Sequence, residues 1–178
     1  MTAAPKIHAN VSIATATELS QAELTALCEA AEDAIKRGGG FGWLDVPPRA
    51  TLEAYWRGLM LVPGRHLYVA QLDGLMVGAL QLHEASKNME SQAQIATVQS
   101  GFTASWARGY GIGRDLMIYA IDQARALGFR ALKLDVRETQ HTAINLYTKL
   151  GFVEWGRLPR YAYVDGQWIA GYHFYLDL

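Results

Sequence analysis

The 178-residue chain predicts an α/β fold, a mixed sheet with helices on both faces. Three observations carry that expectation. Stretches of alternating or wholly apolar residues recur with the brevity of strands. Between them stand stretches whose apolar residues fall three and four apart. Glycines and Asp-Gly pairs punctuate most of the junctions. The resulting order is strand, two helices, three strands, helix, strand, helix, strands. No internal repeat, low-complexity tract or interdomain linker breaks it, so a single domain over 1–178 is expected.

Taken in order, Ile7–Ile13 alternates as a half-buried strand does. Ser20 with Glu23 three residues on is a capping box, in which each side chain satisfies the other residue's backbone N–H. Leu24, Leu27, Cys28, Ala31 and Ile35 then share one helical face, and Gly38-Gly39-Gly40 ends the helix. The loop Phe41–Pro48 carries Phe41 and Trp43. A second helix from Thr51 places Leu52, Tyr55, Trp56 and Leu59 together. Leu67–Leu72 and Leu75–His83 flank Asp73-Gly74, the signal of a hairpin. Ala85–Gln92 is polar and reads as a loop. Gln94–Ala104 is a long strand in which Gly101 suggests a bulge or a close backbone approach.

A helix follows Gly113, with Leu116, Met117, Ala120, Ile121, Ala124 and Leu127 at helical spacing, and Gly128 stops it. Ala131–Val136 is a short buried strand, and Thr142–Leu150 a helix closed by Gly151. Phe152–Arg157, Tyr161–Val164 and Gly171–Leu176 complete the sheet, the last two joined through Asp165-Gly166.

Composition narrows the function classes. Hydrophobic residues are 51% and charged residues 19%, which is enough apolar content for a packed core. A net charge of -1 argues against a duplex-wide nucleic-acid surface while leaving room for a local basic pocket. Cys28 is the single cysteine, so there is no internal disulfide framework and no cysteine-based metal site. It stands in register with Leu24 and Ala31 and is expected to be a small buried residue. His8, His66, His83, His141 and His173 show no paired helical spacing, and no metal site is expected. Met1–Asn10 lacks the apolar stretch of a signal peptide, and no segment has the length of a membrane span; a cytoplasmic protein is expected.

Three glycines at alternate positions, in Arg108-Gly109-Tyr110-Gly111-Ile112-Gly113-Arg114, lie between a strand end and a helix start. Such a run leaves backbone N–H groups open at the positive end of a helix dipole, with two arginines beside them. It suits an anion such as pyrophosphate, and it equally suits a tight turn that merely needs glycine. A P-loop would require Gly-Lys-Ser/Thr, and Gly113 is followed by Arg114-Asp115. A dinucleotide fingerprint would need a third glycine three residues after the second, which is also missing.

This Arg-x-x-Gly-x-Gly loop is joined downstream by Leu134-Asp135-Val136-Arg137 and by Ala143-Ile144-Asn145-Leu146-Tyr147-Thr148-Lys149-Leu150-Gly151-Phe152. Together, in this order and spacing, they resemble the GNAT superfamily of N-acetyltransferases. The similarity spans about Leu67 to Phe152. The tail, with Gly-Arg-Leu-Pro-Arg-Tyr, is similar to a bacterial subgroup that acetylates small molecules and includes the tabtoxin-resistance acetyltransferases.

The resemblance implies a mostly antiparallel sheet with a splayed central strand pair. It implies acetyl-CoA as co-substrate, with the backbone of Gly101, Phe102 and Thr103 against the pantetheine arm. The amides from Arg108 through Gly109, Tyr110, Gly111, Ile112 and Gly113 to Arg114 would hold the pyrophosphate. Tyr147 matches a tyrosine that protonates the leaving thiolate; on its own, a tyrosine between Leu146 and Leu150 also suits a core position. Gln140 stands where relatives have an asparagine that contacts the cofactor. Thr97 stands where many relatives have a glutamate in the strand before the loop, so the base is left open among Glu84, Glu90, Asp135, His83, His173 and ordered water. Phe41, Trp43, Trp155, Tyr161, Tyr163 and Trp168 are candidates to line an acceptor pocket. The resemblance points to a small-molecule amine as acceptor and allows a homodimer. Acetylation of a protein amine, and a non-catalytic acyl-CoA-binding module, are the competing readings.

Overall fold

The computed structural model describes residues 9–39 and 42–178. Seven strands form one sheet: β1 (Val11–Ala16), β2 (Arg65–Leu72), β3 (Leu75–His83), β4 (Ile95–Thr103), β5 (Ala131–Arg137), β6 (Val153–Val164) and β7 (Gln167–Asp177). Their order across the sheet is β1-β2-β3-β4-β5-β7-β6. Every neighbouring pair is antiparallel except β4 and β5, which run parallel. The helices are α1 (Gln21–Lys36), α2 (Arg49–Leu61), α3 (Ile112–Ala126) and α4 (His141–Lys149).

The expected mixed sheet is therefore present, with helices on both faces. The Tyr55 hydroxyl of α2 takes a hydrogen bond from Gln81 of β3, which places α2 on one face. Tyr147 of α4 packs on Phe174 of β7 across the other. The Gly113 backbone lies beside Leu146, so the start of α3 shares that second face with α4. The core sits between these layers and includes Leu24, Leu27, Leu52, Trp56, Leu67, Leu82, Leu116 and Leu132, each at most 1% exposed. Burying one such side chain contributes roughly 1.5–3 kcal/mol.

Local chemistry fixes the elements. Ser20 and Glu23 form the capping box of α1 with both reciprocal bonds. Cys28 is buried among the leucines of that helix, as its register predicts. Asp73-Gly74 and Asp165-Gly166 have positive φ at both residues, the conformation that lets a two-residue turn follow the strand twist.

Several boundaries differ from the sequence expectation, among them these four. The first strand is Val11–Ala16, because pairing runs from Val11 opposite Leu72 to Ala16 opposite Leu67; Ile7 and His8 lie outside the described residues, as do Gly40 and Phe41. Helix α2 starts two residues early, since Pro48 pre-sets the entry and Arg49 bonds Glu32 at 2.8 Å and the Thr25 carbonyl at 3.1 Å. What the sequence suggests as two strands around Pro159 is one strand, β6, whose register shifts between Leu158 and Ala162. Proline is tolerated there because β6 is the sheet edge. Strand β7 begins at Gln167, directly after the tight turn.

Among the described residues, no helix is long and apolar enough to cross a membrane.

Candidate active site

The site begins where the parallel pair fails. Strands β4 and β5 are paired only over Ile95–Thr97 and Ala131–Lys133. Beyond these three rungs β4 continues to Thr103 and β5 to Arg137, so the sheet opens into a wedge. A strand edge buried without a partner leaves its N–H and C=O groups to be satisfied by something else.

Strand β4 diverges for an identifiable reason. Ala79 pairs with Phe102 and Gln81 with Gln99, which leaves Ser100 and Gly101 opposite Leu80 alone. This is the expected bulge, but its left-handed residue is Ser100, at φ 50°, and not Gly101. The close approach also belongs elsewhere. A Cβ on Gly101 would make ordinary contact with Leu80, whereas one on Gly78 of β3 would lie 2.5 Å from the Phe102 carbonyl oxygen. Gly78 is thus the glycine that packing requires, and nothing in the sequence pattern singles it out.

A cleft of about 1280 Å³ runs through the wedge, lined from the glycine loop and α4 to the segment after α1. That volume exceeds the span typical of drug-sized pockets, so it has room for two bodies at once. Gly101, Phe102 and Thr103 form its β4 wall, and Leu134 to Arg137 its β5 wall.

On the α3/α4 face the floor is the glycine loop. Gly109 and Gly111 have φ of 89° and 78°, and Gly111 caps α3 without a side-chain bond. The first-turn N–H groups of Ile112, Gly113 and Arg114 therefore point into the cleft with no helical acceptor. A Cβ on Gly109 would meet nothing within 4 Å, so its glycine serves backbone conformation and not packing. Arg108, Gly109, Gly111, Ile112, Gly113 and Arg114 all line the cleft; Tyr110 does not, and its side chain is half exposed. The arrangement is an anion cradle of main-chain donors with two guanidinium groups at its rim.

Tyr147 lies between this face and the wedge. Its ring packs against Phe152 and Phe174, so it has a core partner set as well as a cleft wall. Burial, and then the charge of Asp135, push its phenol up to about 12. It holds its proton throughout the physiological range.

Gln140 also lines the cleft, but its amide nitrogen donates to the Gly38 carbonyl at 2.7 Å. Arg137 donates to the same oxygen at 3.2 Å. These two residues pin the segment after α1 over the wedge.

The α1/α2 face separates the residues left open as bases. Asp135 is the one among them that lines the cleft. Glu84 is turned to His66, 2.8 Å away, and Glu90 lies in an exposed turn. His83 bonds Gln81 at 2.9 Å, and burial followed by the charges of Arg65 and His66 draws it down to about 4. His173 sits opposite Asp135 in the β5/β7 register. Thr97 is the last rung before the opening, paired with Lys133 and His83, and is not part of the cleft wall.

Of the aromatic candidates, Tyr161 and Tyr163 line the cleft; Trp43 packs on Tyr55, Trp155 on His173, and Trp168 on Tyr163. Sequence reasoning offers no role for the pairing of Tyr161, whose hydroxyl donates a short hydrogen bond to the Asp135 carboxylate. The residues are 26 positions apart, and only the sheet order brings them together. Among the described residues, no group of three or more His, Cys, Asp or Glu side chains could hold a metal ion.

Comparison with known proteins agrees with this geometry. Residues 25–152 match the family model described as Acetyltransferase (GNAT) family. Over 132 residues the chain is 46% identical to an uncharacterised N-acetyltransferase in the hisH-hisA intergenic region of Azospirillum brasilense, covering 74% of this chain and 79% of that one. An N-acetyltransferase from Staphylococcus aureus superposes with a TM-score of 0.81 at 21% identity, over 94% of this chain and 98% of the other. A GNAT superfamily phosphinothricin acetyltransferase from Sinorhizobium meliloti, in complex with acetyl-CoA, superposes at 0.77 with 21% identity, over 97% and 89%.

Proposed function

Because the chain belongs to the acetyltransferase (GNAT) family, we propose that it moves an acetyl group from acetyl-CoA to the primary amine of a small molecule. It is an acyltransferase; the acceptor class and the residue roles below are our reading. One observation carries it. The sheet opens after three rungs, so main-chain donors on one face and a carboxylate on the other reach the same slot.

The residues present fit acetyl-CoA, the ligand of the Sinorhizobium meliloti relative. The cradle from Arg108 to Arg114 supplies N–H donors and positive charge suited to a pyrophosphate. The unpaired edge at Gly101, Phe102 and Thr103 suits the amides of a pantetheine arm, which would take the place of a missing strand. Bound there, acetyl-CoA supplies the acetyl group as a thioester.

The protein's own groups then divide the proton work. Asp135, at the opposite mouth, holds an incoming ammonium and accepts its proton, directly or through water. Tyr147 keeps its proton because of burial and the nearby Asp135 charge, and it is placed to donate to a departing thiolate. In this reading Asp135 takes the role that Thr97 leaves open. A near-neutral chain and a mouth of Leu44, Tyr161 and Tyr163 favour a small amine over a basic peptide.

A free-thiol release assay with acetyl-CoA and a panel of small amines, amino acids and peptides tests the proposal. Fastest turnover with a small primary amine is expected. Fastest turnover with peptides would make the chain a protein acetyltransferase. Thiol release with none of them, alongside a melting temperature raised by acetyl-CoA, would make it a binding module.

A further inference from the structure

Tyr161 belongs to the edge strand β6, and Asp135 to β5; β7 runs between them. Two strand spacings are roughly 9.6 Å, more than a tyrosine reaches from a regular strand position. Two features close the gap. Tyr161 emerges from the register shift between Leu158 and Ala162, which frees it from the β6/β7 ladder. Its ring then crosses β7 at Gly171, where an added Cβ would lie 2.2 Å from the ring's Cγ. Any other residue at 171 would occupy the ring's seat. His173, in the next position on that face of β7, meets the ring edge-on at 6.2 Å.

The hydroxyl reaches Asp135 Oδ2. Among the described residues, nothing donates a hydrogen bond to the other oxygen, Oδ1. The carboxylate is thus fixed by one oxygen and available through the other, at a cleft wall that Tyr161 itself shares. The two arginines on this side of the cleft are engaged within the protein: Arg37 bonds Asp33 at 3.2 Å, and Arg137 bonds the Gly38 carbonyl. Among the described residues, the mouth therefore offers one oriented anion beside aromatic and aliphatic walls, with its two nearby guanidinium groups already directing a donor to the protein.

We propose that Tyr161, seated on Gly171, is a positioning residue that orients the Asp135 carboxylate toward the ammonium of an apolar-bodied monoamine. The proposal rests on the acetyl-transfer reading given above. It places no chemistry on Tyr161, which acts through Asp135 alone.

A double-mutant cycle tests it, with phenethylamine as the acceptor probe and thiol release as the signal. Tyr161→Phe keeps the ring on Gly171 and removes only the hydroxyl. It is expected to lower kcat/KM for phenethylamine about tenfold, chiefly through the amine KM, with the acetyl-CoA dissociation constant unchanged. In an Asp135→Ala background the same substitution should change kcat/KM less than twofold, roughly the limit of independent behaviour. Gly171→Ala, which displaces the ring, should reproduce the Tyr161→Phe loss.

Equal effects of Tyr161→Phe in both backgrounds, or none in either, would overturn the positioning role. Full activity of Asp135→Ala would instead overturn the role given to Asp135 in the preceding reading. No turnover of phenethylamine by the unmodified chain would overturn the apolar-monoamine class, while the rest of the amine panel decides acetyl transfer itself.

Discussion

The two faces joined by the wedge are built on different principles. On the α3/α4 face, recognition is offered by main chain: glycines hold the backbone open, and a helix terminus supplies its N–H groups. On the α1/α2 face it is offered by side chains from two strands, β5 and β6, held by a hydrogen bond across β7. A main-chain site depends on the absence of side chains and tolerates changes in those that face away, as half-exposed Tyr110 does. A side-chain site depends on sheet register, because each member must arrive from its own strand. One face suits a ligand that many proteins share, and the other a ligand that distinguishes them.

The sharpest way to break the contrast is to put a side chain where the first face needs none. Gly113→Trp would fill the space between Thr103 and Leu146, which lie 3.9 and 4.0 Å from an added Cβ. Acetyl-CoA binding should weaken at least about a thousandfold, some 4 kcal/mol, and its thermal shift should vanish. Calorimetric titration checks this; retained binding would show that the cradle is not the anion site.

A smaller effect is expected at the boundary between the faces. Tyr147→Phe keeps the ring contacts with Phe152 and Phe174 and removes the proton. Turnover should fall about a hundredfold with acetyl-CoA affinity within twofold. Steady-state kinetics beside a binding isotherm separate the two; equal turnover would reduce the residue to packing.

The smallest effect concerns stability on the side-chain face alone. His83 ordinarily titrates at 6.5 and is held near 4 in the fold, so between those values the unfolded chain binds the extra proton. Its contribution is present above pH 6.5 and is lost as pH falls toward 4. Melting temperature followed over that window should decline less in His83→Gln than in the unmodified chain. Parallel curves would show that burial of His83 has no such cost.

The same contrast decides what could be read in advance. The cradle was legible because its donors are consecutive, and glycine spacing is a local signal. The helices and hairpins were legible for the same reason, through Ser20 with Glu23 and through Asp73-Gly74. The partnership of Asp135 with Tyr161 was not, since it depends on β7 lying between β5 and β6 and on a register shift at Pro159. Gly101 stands out in the sequence as a glycine in a strand, although the steric demand falls on Gly78, an ordinary small residue in an apolar run. Thr97 could be aligned with a base position, but that it ends the β4/β5 pairing is a property of two strands, visible only when both are placed.

Gly78 has a consequence beyond its own contact. A side chain leaves a strand perpendicular to the sheet, so the Phe102 carbonyl occupying that space means that β4 rides over the face of β3 there. Because β4 lies between β3 and β5, an approach to β3 is a withdrawal from β5. The width of the cleft therefore depends in part on a residue behind it that does not line it. A side chain at position 78 would push the Phe102 backbone toward β5 and narrow the cleft, without changing any side chain that lines it.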